Sequence, residues 1–200
     1  RPPDGAPSGW AAPPETTWVA LVLKAAARTC AVCPSSASAS ITNALVTYIR
    51  SLTTPGARFD RWLSGDKNAL SDEEHAGYLL FRSYGCSSCH QGRNLGGNLI
   101  QRFGIMNDYF ADRGYPTPAD RGLARVTEDP QDEHFFRVPS LRNVERTAPY
   151  FHDGTAATLE DAVRVMGRYQ LGRELSELER SRLVAFLKTL TGDLDDGALK

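Results

Sequence analysis

The chain has 200 residues, with 23 Lys and Arg against 24 Asp and Glu, a formal net charge of −1 and four cysteines. That balance carries no basic footprint for nucleic acid or an anionic membrane, and 41% hydrophobic with 24% charged residues is ordinary globular composition, against wholesale disorder. The longest apolar run, Val19–Ala27, is broken by Lys24 and falls well short of the roughly 20 residues that span a bilayer. The chain opens at Arg1 rather than Met, so a processed or truncated product is expected, with any export signal upstream.

Residues 1–37 are crowded with Ala and Pro and hold no Phe, Tyr, Ile, Met, Asn, Gln or His. With so little to bury they read as a loose tail, or else as an out-of-register translation of GC-rich coding sequence. From Ser38 the texture changes. Ile41, Ala44, Leu45, Tyr48, Ile49 and Leu52 recur at helical spacing, and Thr53-Thr54-Pro55-Gly56 ends that helix because proline lacks a donor and restricts the residue before it. A second helix is predicted from Ser71, with Glu74 completing a capping box, through Tyr78, Leu79 and Phe81 towards Gly85. The span 92–137 is rich in Gly, Asp and Pro without sustained periodicity, and reads as long loops with short helical turns. A third helix is predicted from Thr158 through Ala162, Val163, Val165 and Met166. The fourth is capped by Ser176 with Glu179, buries Leu183, Val184, Phe186, Leu187 and Leu190, and stops before Gly192. No alternating strand is evident, so the expected class is all-α, with something other than side chains filling the space between helices and long loops.

The cysteines fall in two C-x-x-C pairs, Cys30/Cys33 and Cys86/Cys89. Cys86-Ser87-Ser88-Cys89-His90 is C-x-x-C-H, the attachment pattern for c-type haem. Two thiols one helical turn apart can add to the two vinyl groups of one haem, and His90 then follows as the proximal iron ligand. The competing reading is a tetrahedral zinc site made of all four thiolates. Against it, Cys30/Cys33 lies in the odd-textured tail and is followed by Pro34, so no ligand role is expected for that pair. The occupant of the second axial position decides the chemistry. Met106 and Met166 are the two methionines, and His75, His134 and His152 are rivals. A thioether would keep the iron six-coordinate and raise its potential, which suits electron transfer. A methionine on the apolar face of a helix is also ordinary core packing.

The segments Phe136-Arg137-Val138-Pro139-Ser140-Leu141-Arg142-Asn143-Val144 and Thr147-Ala148-Pro149-Tyr150-Phe151-His152-Asp153-Gly154 resemble the C-terminal signature of bacterial dihaem cytochrome c peroxidases and their MauG-type relatives. Thr158 to Val163, Met166, Gln170-Leu171-Gly172, Phe59-Asp60-Arg61, Gly65-Asp66 and Phe186 to Gly192 are similar too, so the resemblance runs from about Ala44 to Gly192. It implies a cytochrome c-like all-α haem domain over residues 66–200, preceded at 38–65 by the last helix and linker of an N-terminal domain, with 1–37 an atypical tail. It implies one covalent haem c on Cys86, Cys89 and His90, with Met166 as the distal ligand of an electron-transferring haem; MauG-type enzymes carry a tyrosine there. It implies a calcium ion at the domain junction bound by the backbone carbonyls of Thr147 and Pro149, His152 in the haem environment or in a structural turn, and Arg142 on a propionate or in a surface ion pair.

With one C-x-x-C-H, the chain lacks the family's second, peroxidatic haem domain. The expected function is therefore electron relay within a periplasmic peroxidase that reduces hydrogen peroxide to water, or, as the alternative, a stand-alone monohaem carrier. The implied partners are a small donor cytochrome or cupredoxin, the peroxidatic haem domain, and a second copy in a homodimer. No nucleic-acid partner is expected.

Overall fold

The structure, a computed structural model, describes residues 35–193, so Cys30, Cys33 and nearly all of the Ala/Pro-rich tail lie outside the described residues. The chain divides into two units between Leu52 and Thr53. In the first, helix α1 (Ser35–Ser51) covers the predicted segment, and Ile41, Leu45, Tyr48 and Ile49 of its apolar stripe are each more than half exposed.

The second unit is built on a crossing of two helices. Helix α3 (Asp72–Ser83) starts at the predicted capping box: the Glu74 amide donates to Ser71 Oγ (3.3 Å) and the Ser71 amide to Glu74 Oε2 (2.9 Å). Helix α7 (Glu177–Lys188) repeats the device with Ser176 and Glu179 (3.3 and 2.7 Å). Each box satisfies two donors that a helix N-terminus leaves without intrahelical partners. The helices meet at Gly77, where a methyl group would lie 1.9 Å from the Arg182 carbonyl oxygen, so only glycine permits this approach. Phe186, fully buried, sits at the crossing against Phe59, Tyr78 and Phe81, with ring centroids 5.2–5.4 Å away.

Phe59 comes from a short helix, α2 (Arg58–Leu63), that sequence periodicity did not announce. Its amide donates to the Thr189 carbonyl at the end of α7 (3.2 Å), and the Asp193 amide donates to Pro55 (2.9 Å). The segment 55–59 thus closes onto the end of α7 within the second unit.

Between α3 and the last two helices the chain is mostly loop with short turns, including α4 (Tyr109–Arg113) and α5 (Ala124–Thr127). The described residues are mostly helical, as the all-α expectation has it, with one short addition: β1 (Ile100–Arg102) pairs antiparallel with β2 (Phe135–Arg137), in the register Gln101 opposite Phe136. Three residues per strand are too few for alternation to show, and the pairing joins segments 35 residues apart. Helix α6 (Leu159–Val165) is capped by Thr158, whose Oγ1 accepts from the Asp161 amide (3.1 Å), and passes into a π-turn at Met166–Gln170. No helix among the described residues is long and apolar enough to cross a membrane.

Candidate functional site

Gly85, in the left-handed region (φ 81°), ends α3 and turns the chain into a 3₁₀ turn, Cys86–Ser88. The Cys89 and His90 amides both donate to the Cys86 carbonyl (3.3 and 2.9 Å), which sets the two cysteines one tight turn apart with His90 directly after them. Both are free thiols. Cys86 packs against the main core, and burial pushes its thiol up to about 11.

The His90 ring faces Phe81 (6.4 Å between centroids). Its Nδ1 lies 3.3 Å from the Leu95 carbonyl oxygen; a carbonyl only accepts, so Nδ1 carries the proton and Nε2 keeps its lone pair. Burial lowers the His90 pKa against the opposing pull of the Leu95 and Pro139 carbonyls, so the imidazole is neutral at pH 7. Leu95 adopts a left-handed backbone (φ 47°), and its carbonyl also accepts from the Leu141 amide (3.3 Å). Beside it, a methyl group on Gly96 would lie 2.0 Å from the Pro139 carbonyl oxygen. The segment Val138–Leu141 therefore braces the loop that aims His90.

Met166 lies elsewhere in the packing. The apolar residues of this unit form two separate clusters, where a domain of this size usually has one contiguous core. The larger contains Phe81, Phe186 and Leu141 with Cys86 against it; the smaller contains Phe103, Tyr109, Phe110, Val165 and Tyr169, with Phe136, Phe151 and Met166 packed on it. A flat apolar group held between the two would account for this division. The donor set agrees: two unpaired thiols, an imidazole with a free Nε2 and, on the other cluster, a half-buried thioether. The residues present fit a c-type haem.

The other named residues take these places. Met106 is exposed, and its side chain lies on Gly172. His75 packs on Trp62 at 5.4 Å, and His134 stacks on Phe110 at 3.9 Å while its Nδ1–H donates to the Asp120 carbonyl (2.9 Å). Arg142 grips Asp60 with both terminal nitrogens (2.8 and 2.7 Å) and gives its Nε–H to the Arg93 carbonyl (3.0 Å), tying α2 to the loop after His90. Thr147 and Pro149 lie exposed on the loop after Val144, with Thr147 Oγ1 donating to the Val144 carbonyl (3.1 Å).

His152 belongs to a network that sequence reading missed. Its Nε2–H donates to Asp120 Oδ1 (2.7 Å); Asp120, 2% exposed, is also paired with Arg113 and accepts from the Thr117 amide (2.5 Å). Arg113 reaches Asp153 too (2.6 Å). Burial alone would raise the Asp120 carboxyl, but Arg113 and His152 hold it well below the usual carboxylate range. Asp120, His152 and Asp153 bring their ligand atoms within 4.8 Å of one another, yet the Arg113 guanidinium already supplies the positive charge there. The residues come from three separate segments, the end of α4, the turn at 117–120 and the loop at 152–153, so no local pattern announced them.

No protein-family model matches the chain. It is 51% identical over 156 residues to cytochrome c551 peroxidase of Nitrosomonas europaea, covering 78% of this chain and 45% of that protein. It is 43% identical over 153 residues to the cytochrome c peroxidase Ccp of Escherichia coli, covering 76% and 32%, and 32% identical over 177 residues to the methylamine utilization protein MauG of Methylophilus methylotrophus, covering 80% and 48%. The chain thus spans less than half the length of these curated relatives. Among solved structures, a MauG-like protein associated with microbial copper homeostasis superposes with a TM-score of 0.58 at 32% identity, over 68% of this chain and 52% of that one. A variant of the dihaem peroxidase BthA from Burkholderia thailandensis, at 24% identity, shares the fold with a TM-score of 0.56 over 68% and 46%.

Proposed function

Over about three quarters of its length the chain belongs to the family of bacterial cytochrome c peroxidases and MauG-like dihaem enzymes, and we propose that it is the electron-transferring haem domain of such a peroxidase. The observation that carries this reading is His90: a half-buried imidazole, its Nδ1–H committed to the Leu95 carbonyl, directly after two free thiols one turn apart.

Cys86 and Cys89 would hold one haem through thioether bonds, with His90 Nε2 and Met166 Sδ as the protein ligands to its iron. Haem ligated in this way supplies reversible one-electron transfer at a potential raised by the thioether. The chain's own contribution is to keep that potential and exclude other ligands: the Leu95–Gly96 turn orients His90, and the aromatic cluster behind Met166 keeps water from the sulfur side. Arg142, occupied by Asp60 and the Arg93 carbonyl, acts by fixing the loop that carries His90. The Thr147 and Pro149 carbonyls are hard oxygen donors suited to calcium at a junction with a second haem domain. That second domain would hold the peroxidatic haem, where hydrogen peroxide is reduced to water. Thioether attachment takes place after export, which puts the matured protein in the periplasm, and its donors there are a small cytochrome or cupredoxin.

Mixing the reduced, haem-loaded chain with hydrogen peroxide tests this role. The expected result is slow oxidation without sustained turnover. Rapid, continued peroxide consumption by this chain alone would overturn the relay reading and make it a peroxidase in itself.

A further inference from the structure

The π-turn carrying Met166 is incomplete as a helix. The Leu171 amide donates to the Met166 carbonyl (3.2 Å), the five-residue ring that defines the turn, and the Arg173 amide donates to Gly167 (3.0 Å). Gly172 then turns away in the left-handed region (φ 67°), so the carbonyls of Arg168 and Tyr169 receive no donor from the helix itself. A distant loop supplies them. The Met106 and Asn107 amides donate to the Tyr169 carbonyl (3.0 and 3.4 Å), and Asn107 Nδ2 donates to the Arg168 carbonyl (2.6 Å).

Gln170 completes the contact from the other side. Its Oε1 accepts from the amides of Gly104 (2.6 Å) and Ile105 (3.2 Å), and its Nε2 donates to the Arg102 carbonyl (3.1 Å). One side chain thus holds three residues of the segment 102–105. Gly104 makes the tight turn possible, at φ 83° with the Asn107 carbonyl oxygen 2.8 Å from where a methyl group would sit. All six bonds are polar, and they join segments more than 60 residues apart.

We propose that Gln170 and Asn107 are positioning residues for the axial thioether: the Arg102–Asn107 loop is a clasp that holds the π-turn, and with it Met166, in its ligating position. This rests on the reading that Met166 is the distal ligand. Without the clasp the π-turn has two unfilled carbonyls and no lateral restraint, and the thioether is free to leave. Each lost bond is modest, but losing the three made by Gln170 shifts the bound-to-released equilibrium of Met166 by roughly tenfold or more.

The test uses the matured, haem-loaded chain and three readouts: the weak far-red sulfur-to-iron band of the ferric form, carbon monoxide binding by the ferrous form, and the midpoint potential. Gln170→Ala is expected to weaken the band, gain carbon monoxide affinity by at least about tenfold and lower the potential. Gln170→Glu, which keeps the acceptor for Gly104 and Ile105 but loses the donor to Arg102, should retain most of the wild-type band. Asn107→Ala should act in the same direction as Gln170→Ala and serves in its place where that variant does not fold. A wild-type chain without the band overturns the Met166 reading itself. A wild-type chain with the band, matched by unchanged band, affinity and potential in the alanine variants, overturns the clasp alone. A lower melting temperature with all three readouts unchanged counts as that second result, since it makes these residues purely structural.

Discussion

Replacing Asp120 with Asn tests whether the buried network behind the Met166 cluster is as strong as its geometry implies. Both partners of the central pair are nearly sealed, with the Arg113 side chain 7% and the Asp120 side chain 3% exposed. Removing one member of a buried pair costs about 3–5 kcal/mol, because the other charge remains out of water. Here Arg113 keeps Asp153 at 2.6 Å, itself 13% exposed, which places Asp120→Asn near the lower end, about 3 kcal/mol. For a chain of this size that is roughly a 6–12 °C fall in melting temperature. The sign of the pH dependence is fixed as well. The Asp120 carboxyl titrates lower in the folded chain than in the unfolded one, so its stabilisation is complete above the unfolded value, about 4, and disappears as pH falls towards the folded value. Thermal melts of the matured chain at pH 7 and at a series below pH 4 read both effects. The wild type should lose stability steeply in that acid range, and Asp120→Asn should start lower and decline less. A shift under about 2 °C at pH 7, or an identical acid slope, would refute the reasoning.

Three further outcomes are expected. Gly77→Ala places a methyl group 1.9 Å from the Arg182 carbonyl oxygen, so α3 and α7 must separate; a loss of about 3 kcal/mol should appear in denaturant midpoints. Gly96→Ala forces a methyl group to within 2.0 Å of the Pro139 carbonyl oxygen and displaces the turn that aims His90; the fraction of exported chain carrying haem, read by intact mass, should fall severalfold, and full loading would count against the brace. Arg142→Lys loses the two-pronged grip on Asp60, which is 40% exposed, so a cost of only about 1 kcal/mol is expected with the midpoint potential unchanged. A large drop in potential would instead assign Arg142 to a haem propionate.

What was legible in the sequence was local. Ser71 with Glu74 and Ser176 with Glu179 mark helix starts because a cap and its reciprocal partner lie three residues apart. The stripe Leu183, Val184, Phe186, Leu187 and Leu190 is buried as its spacing requires. Cys86, Cys89 and His90 are adjacent, so their chemistry could be read directly. The missed features depend on distance. The three-residue strands pair across a long loop, and Asp120 meets Arg113, His152 and Thr117 only once the chain is folded. The spacing predicts a helix through Met166, whereas the α-helix stops at Val165 and widens into a π-turn. Its restraint comes from residues 102–107, which no periodicity within 158–172 reveals. The stripe of α1 illustrates the converse: its periodicity was plain, yet Ile41, Leu45 and Ile49 are exposed, since spacing shows that a face is apolar without showing what covers it.

The central claim is that one haem, covalently held and ligated by His90 and Met166, makes this chain an electron relay. The ferric spectrum of the matured chain, with haem counted per polypeptide, tests it most directly. The account predicts one low-spin haem with the far-red sulfur-to-iron band, lost in Met166→Ala. A high-spin or ligand-accessible haem in the unaltered chain would contradict it.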